Sequence, residues 1–221
     1  KSELLKYVAK KRKPMILSTG RSTMIEVEDA VDTILKNGCK QLAILHCVSD
    51  YPASFKSLNL RAMITLKEAF NLRVGFSDHS LGIEASVAAV ALGAKIIEKH
   101  FTLDRNLEGP DHKASLEPKE LKSMVSAIRN VEMAMGDGRK KPDRSELWGI
   151  KNSRKSIIAK VDISSGTQIL KEMLAIKRPA NGIEPKFYDQ VIGQFSMKNI
   201  KIFLSKFLFT KKFPDIFFLK Y

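Results

Sequence analysis

Val74-Gly75-Phe76-Ser77-Asp78-His79-Ser80 is a short β-branched and aromatic run that stops at small polar residues and a histidine. It reads as a buried strand followed at once by a loop able to carry chemistry. Downstream, Ala94–Leu103 repeats the pattern and also reaches a histidine, through Glu98-Lys99-His100-Phe101-Thr102. Between the two runs lies an alanine-rich helical segment, Ile83–Leu92, closed by Gly93. Strand, helix and strand in such close succession make a βα unit of parallel sheet.

The same alternation extends in both directions. Upstream, Gln41–Cys47 is a buried strand followed by a helix over Leu58–Phe70, with Leu60, Met63, Ile64 and Leu66 as its apolar positions. Before it, Pro14–Ser18 is a strand closed by Thr19-Gly20. A helix over Met24–Asn37 follows it, with capping-box spacing between Thr23 and Glu26 and with Gly38 at the C′ position. Ser2–Lys11 reads as the end of a further helix, and Pro118–Met135 as a long amphipathic helix with proline in its first turn. Four βα units fit either a small open sheet or half of a (β/α)8 barrel, since a whole barrel takes ~250 residues. In both architectures functional groups gather past the C-terminal ends of the strands. Ser18-Thr19-Gly20, Ser49-Asp50-Tyr51, Ser77-Asp78-His79 and His100 fall there, and the loop Asp104–Ala114 with Gly109-Pro110-Asp111-His112 follows.

Composition bounds the rest. The chain has 221 residues and a formal net charge of +14. Residues 149 onward carry 14 Lys and Arg against 5 Asp and Glu, the first 148 carry 24 against 19, and the excess is therefore concentrated in the last third. A basic balance suits nucleic acid, a membrane surface or an anionic small substrate. Nucleic acid is disfavoured because no motif for it is present. No apolar run approaches the ~18–20 residues that span a bilayer, and no signal peptide is present. Two cysteines in buried contexts, Cys39 and Cys47, fit a reduced cytoplasm. The chain begins at Lys1, which suggests a piece of a longer protein.

Each candidate group has a plain reading. One histidine at a strand end is ordinarily a hydrogen-bonded polar residue. Two at matching ends of sequential parallel strands are neighbours on one rim and suit a shared metal ion, with positions left open for substrate. His46, inside its strand, and His112, in a loop, are expected not to be ligands. Asp78 could be a ligand, a partner that orients a histidine, or a loop cap. The serine and threonine clusters are common turn residues and, equally, donors to a phosphate.

Several stretches together resemble the sialic acid synthase (NeuB-like) family. They are Lys13-Pro-Met-Ile-Leu-Ser-Thr-Gly20, Leu45-His-Cys-Val-Ser-Asp-Tyr-Pro52, Gly75-Phe-Ser-Asp-His-Ser80, Ala88-Ala-Val-Ala-Leu-Gly-Ala94, Glu98-Lys-His-Phe-Thr102 and Gly109-Pro-Asp-His112. The resemblance runs from Lys13 to about Gly193. It implies an α/β chain made of the C-terminal half of a TIM (β/α)8 barrel, about four βα units, followed by a small, incomplete β-rich SAF (antifreeze-like) domain. The boundaries expected are 1–136 for the partial barrel, 137–152 for a linker, 153–194 for the partial SAF domain and 195–221 for a tail.

The resemblance also implies function. Family members, among them N-acetylneuraminate, legionaminate and pseudaminate synthases, condense phosphoenolpyruvate with an open-chain 2-acetamido sugar such as N-acetylmannosamine. By resemblance, His79 and His100 hold a divalent metal, usually Mn2+, with Mg2+ or Co2+ as substitutes. Ser18, Ser49 and Ser77 line the phosphate site, the second at a position often Asn in relatives. Tyr51 and Asp111 contact the N-acetylated amino-sugar. Arg178, in Leu174-Ala-Ile-Lys-Arg-Pro-Ala-Asn-Gly-Ile183, reaches the sugar site of the other subunit of a domain-swapped homodimer. Two departures bear on these expectations. The family's early catalytic glutamates lie upstream of Lys1, so the chain alone is expected to be a poor catalyst. Residues 195–221, with seven of the twelve phenylalanines, leave the family pattern and read as an aberrant tail or a basic segment for anionic surfaces.

Overall fold

The four apolar runs become four parallel strands, β1 (Met15–Ser18), β2 (Leu42–Cys47), β3 (Arg73–Asp78) and β4 (Ile97–Lys99), side by side in sequence order. They alternate with helices α1 (Ser2–Ala9), α2 (Met24–Lys36), α3 (Ala62–Phe70), α4 (Glu84–Ala91) and α5 (Pro118–Met135). The computed structural model describes residues 2–180, 182–202 and 217–218. It divides into two units, Lys1–Arg139 and Lys140–Tyr221.

In the first unit, sequential strand order, with the right-handed crossovers that parallel βα units take, puts α2, α3 and α4 on one face of the sheet. That is the winding of a (β/α)8 barrel, of which four consecutive units are present. It differs from a doubly wound sheet, which has helices on both faces. Side-chain alternation agrees. Met15, Leu17, Leu42, Ile44, Val74, Phe76 and Ile97 share one apolar core with Val27, Val31, Ile34, Met63, Leu66, Ala85 and Ala89 of α2, α3 and α4. Phe76 is fully buried at its centre, a burial that contributes ~1.5–3 kcal/mol. The opposite, inner face carries Ile16, Ser18, Ala43, Leu45, Cys47, Gly75, Ser77 and Glu98, following the twofold strand period.

Local chemistry explains the element ends. Thr23 and Glu26 form the expected capping box, the Thr23 N–H donating to Glu26 at 2.7 Å, and Gly38 takes the positive φ of +102° after α2. Two elements differ from the sequence reading. The helix expected from Leu58 starts at Ala62, because a 3-10 turn, Phe55–Ser57, and Asn59 at φ +44° precede it. The fourth strand ends at Lys99 because the chain then turns to a new partner: Leu116 N–H donates to the His100 carbonyl, and Thr102 N–H to that of Leu116, both at 2.9 Å.

Residues 137–152, expected to be a linker, cross from the first unit into the second and run without helix or strand as far as Asp143. They then form a 3-10 turn, Arg144–Glu146, and helix α6 (Leu147–Ser153). The reason is a capping box in which the Asp143 N–H donates to Glu146 at 2.8 Å and Asp143 accepts from Ser145 N–H at 2.9 Å. Strands β5 (Ser156–Ala159) and β6 (Leu174–Lys177) pair antiparallel, followed by α7 (Tyr188–Val191) and β7 (Phe195–Ser196). Ile157, Ile163, Ile169, Leu174 and Val191 form the small core.

The boundary expected at 194 moves outward. Ser196 N–H donates to the Thr167 carbonyl at 3.0 Å, and Ile163 and Ile200 bond each other's backbone at 2.8 and 2.7 Å. Residues 195–202 therefore belong to this unit. A two-residue strand, β8 (Phe217–Phe218), pairs with β7. The rest of the expected tail, 203–216 and 219–221, lies outside the described residues. Among the described residues no helix is long and apolar enough to cross a membrane.

Candidate functional site

At the C-terminal ends of β2, β3 and β4 three rings meet. The imidazoles of His79 and His100 have centres 5.3 Å apart and stand edge-on at 68°. The Tyr51 ring, on the loop after β2, lies 4.2 Å from that of His79 and 5.6 Å from that of His100. Asp111 joins them from the following loop, its Oδ2 3.8 Å from His100 Nδ1. Tyr51 is about half exposed and His79 is buried, so the pair opens to solvent on the His100 side.

His79 is held from several directions. Its Nδ1 lies 2.8 Å from the Val48 carbonyl, and its own carbonyl accepts from Ala53 N–H at 2.9 Å. A carbonyl oxygen can only accept, so Nδ1 carries a proton, and in the neutral ring the lone pair is on Nε2. That is the arrangement in which an outer hydrogen bond aims a histidine at a metal. With metal–nitrogen bonds of ~2.1 Å, and nitrogens ~1.1 Å from the ring centres, two imidazoles on one ion at 90–110° have centres ~4.5–5.2 Å apart. The observed 5.3 Å fits with little adjustment. Among the described residues no set of three or more His, Cys, Asp or Glu side chains could hold an ion. The fit is thus to a two-imidazole site with open positions.

The serines fall into different places. Ser77 is buried on the inner face, and its hydroxyl donates to Glu98 at 2.6 Å. Ser49 Oγ lies 3.8 Å from the thiol of Cys47, the register partner of Ser77. Gly20 makes room for Ser49, since a Cβ there would collide with its hydroxyl. Ser18 is exposed, pairs with Leu45 and stands two strands from Ser77. Arg178 follows β6 in the second unit, apart from the other seven residues in the sequence.

Asp78, Glu98 and Lys99 show what sequence reasoning passed over. Strand alternation puts Ser77 and Glu98 inward, and puts Asp78 and Lys99 on the side of the helices. Asp78 is therefore neither ligand nor imidazole partner. It accepts from the N–H and hydroxyl of Ser80 and the hydroxyl of Ser86, and it pairs with Lys99. Glu98 is the carboxylate on the inner wall, and counting by twos back from His100 would have found it. His46 faces the helices, its Nε2 2.7 Å from the Leu58 carbonyl. His112 Nδ1 lies 2.8 Å from the Thr102 hydroxyl, which itself donates to the Asp104 carbonyl.

The loop bearing Asp111 is fastened by Arg105. This side chain donates to the Ser115 carbonyl at 2.9 Å and pairs with Glu120, while its N–H donates to Glu117. The hydrogen bond from Arg105, with another from the Glu117 N–H, holds the Glu120 carboxyl below its ordinary range. A lowered carboxyl contributes stability above its unfolded pKa and loses it as pH falls through the folded value. Both side chains are 37% exposed, so the effect is local. Glu120→Gln at neutral pH should therefore speed amide exchange in 104–114 and leave core strands unchanged. Equal loop exchange in both proteins would refute the role.

Residues 1–140 match the NeuB family and residues 154–202 the SAF domain. An N,N'-diacetyllegionaminic acid synthase of Campylobacter jejuni is 52% identical over 199 residues, covering 89% of this chain and 60% of that protein. One of Legionella pneumophila is 44% identical over 200 residues, covering 89% and 56%. The crystal structure of N-acetylneuraminic acid (sialic acid) synthetase from Leptospira borgpetersenii, in complex with citrate, aligns with a TM-score of 0.61. It is 42% identical, over 67% of this chain and 52% of that one. The chain spans at most 60% of the length of these three proteins.

Proposed function

The chain belongs to the NeuB family and carries an SAF domain, and on that premise we propose that it serves a nonulosonic acid synthase of the cytoplasm. The reaction proposed is condensation of phosphoenolpyruvate with a 2-acetamido sugar aldehyde. C3 of the enolpyruvate attacks the aldehyde carbon, water adds at C2, and phosphate departs by C–O cleavage. The observation that carries this reading is the pair of imidazoles at the strand ends, closed over by Tyr51 and Asp111.

His79 and His100 would hold a divalent ion, Mn2+ in preference to Mg2+ or Co2+, through Nε2. When bound, that ion supplies Lewis-acid polarisation of the aldehyde oxygen. Tyr51 covers the imidazole pair on one side and offers the sugar a ring and a hydroxyl. Asp111 accepts a hydrogen bond from the sugar. Ser18, Ser49 and Ser77 would line the phosphate site and offer it hydroxyl donors. Ser77 commits its one proton to Glu98. Phosphate arrival therefore redirects that hydroxyl from Glu98 to the phosphate. Arg178 would act on the sugar across a homodimer. Similarity to two diacetyllegionaminic acid synthases favours a sugar bearing two N-acetyl groups, with N-acetylmannosamine as the second choice.

The test is a chimera in which this chain replaces the aligned residues of the Campylobacter synthase. Sugar- and Mn2+-dependent phosphate release from phosphoenolpyruvate is expected, and it should disappear with His79→Ala. A folded chimera that releases no phosphate with either sugar would overturn the reading.

A further inference from the structure

Asp78 and Lys99 each immediately precede one of the two site histidines, and they are register partners across the β3–β4 ladder. Both point away from the site, toward the helices, and both side chains are removed from water, at 0% and 3% exposure. Lys99 Nζ lies 2.9 Å from Asp78 Oδ2 and donates to the Ser80 carbonyl at 2.5 Å. Asp78 also accepts from Ser80 N–H at 2.9 Å, from the Ser80 hydroxyl at 2.7 Å and from Ser86 of α4 at 2.6 Å. No buried side-chain polar atom among the described residues lacks a partner. One ammonium, on the residue before His100, thus holds the residues on both sides of His79.

An ion pair this deep is costly to desolvate, and apolar side chains of similar volume stabilise a core at least as well. Folding alone gives no reason for charges here. What the pair does, and apolar packing does not, is tie two backbones at a set distance and register. The ladder itself ends at this point, since Lys99 is the last residue of β4. Beyond it His100 bonds Leu116 instead of β3, so the Asp78–Lys99 pair is the last direct tie between the two strands before the histidines.

We infer that the Asp78–Lys99 pair is a positioning device that sets the separation of the His79 and His100 imidazoles for one metal ion. The inference rests on the reading of those histidines as ligands. Lys99→Met alone would strand a buried carboxylate and test only folding, so the decisive variant is Asp78→Asn/Lys99→Met. In it the introduced amide oxygen still accepts from Ser80, and the introduced thioether fills the space of the lysine stem.

The double variant of the full chain should melt as the unaltered protein does. It should bind Mn2+ ~10–100-fold more weakly, with an altered electron paramagnetic resonance line shape for the bound ion. Unchanged Mn2+ affinity in the folded double variant would overturn the inference, and so would loss of the fold, which would make the pair purely structural. His79→Ala, measured in parallel, separates the two ideas. If it keeps Mn2+ binding, the ligand reading fails and the inference with it. If it loses binding while the double variant retains it, the positioning role fails alone.

Discussion

On the proposed ligand assignment, His79→Ala and His100→Ala should each weaken Mn2+ binding by at least ~100-fold, since each would remove one of the two proposed nitrogen donors, and among the described residues no group of three or more candidate ligands stands there to compensate. The fold should survive. The His79 side chain bonds the Val48 carbonyl and reaches the Cys47 thiol at 3.8 Å, contacts at the strand end rather than in the helix-facing core, and His100 sits where β4 has already left the ladder. His46→Ala is the matched control. It deletes an imidazole of the same chain that stacks on Phe76 and bonds Leu58, on the face away from the site. It should cost stability and leave Mn2+ affinity unchanged. Isothermal titration of the three variants decides the matter. Equal affinity in His79→Ala and the unaltered protein would sink the ligand assignment. A loss in His46→Ala as large as in the other two would show that binding merely tracks stability.

Gly75→Ala should be the most damaging single methyl group in the first unit. A Cβ at Gly75 would strike the carbonyl of Ile96 and come within 2.6 Å of the Leu45 side chain and 2.8 Å of Ile96 Cβ. That carbonyl is the acceptor for Phe76 N–H at 2.9 Å, part of the β3–β4 ladder. It cannot move aside without breaking the pairing that brings His79 toward His100. The expected cost is ~3 kcal/mol, from overpacking plus a lost ladder bond. For a chain of this size that is a fall in melting temperature of ~6–12 °C. Metal affinity should fall with it. Gly93→Ala, whose Cβ would meet nothing within 4 Å, suffers only from its positive φ and should cost less. If Gly75→Ala melts no lower than Gly93→Ala, the close approach of β3 and β4 does not limit stability.

Much of the fold is legible because its causes are local. Thr23 and Glu26 are three residues apart, Pro118 opens α5 where a missing N–H does no harm, and apolar runs between capped helices need no tertiary knowledge. Where local signals compete, the reading slips. Leu58 has the right apolar period for α3, yet Asn59 turns left-handed and the helix waits until Ala62. Residues 195–202 look foreign by composition, yet the backbone of Ile163 and Thr167 pairs with them regardless of side chain.

The site divides in the same way. The sequence alone determined that His79 and His100 end neighbouring strands, that Tyr51 and Asp111 follow strand ends, and that Ser18, Ser49 and Ser77 lie along the rim. These follow from order and period, which a linear chain carries. Only the tertiary structure decided which of these groups touch. It turned Asp78 away from the metal candidates and onto Lys99, gave the Ser77 proton to Glu98, and fixed the His79 tautomer through Val48. Each of those outcomes depends on which residue of one strand stands opposite which residue of the next. Register is set by the packing of all four strands and their helices together, so no single stretch of the chain contains it.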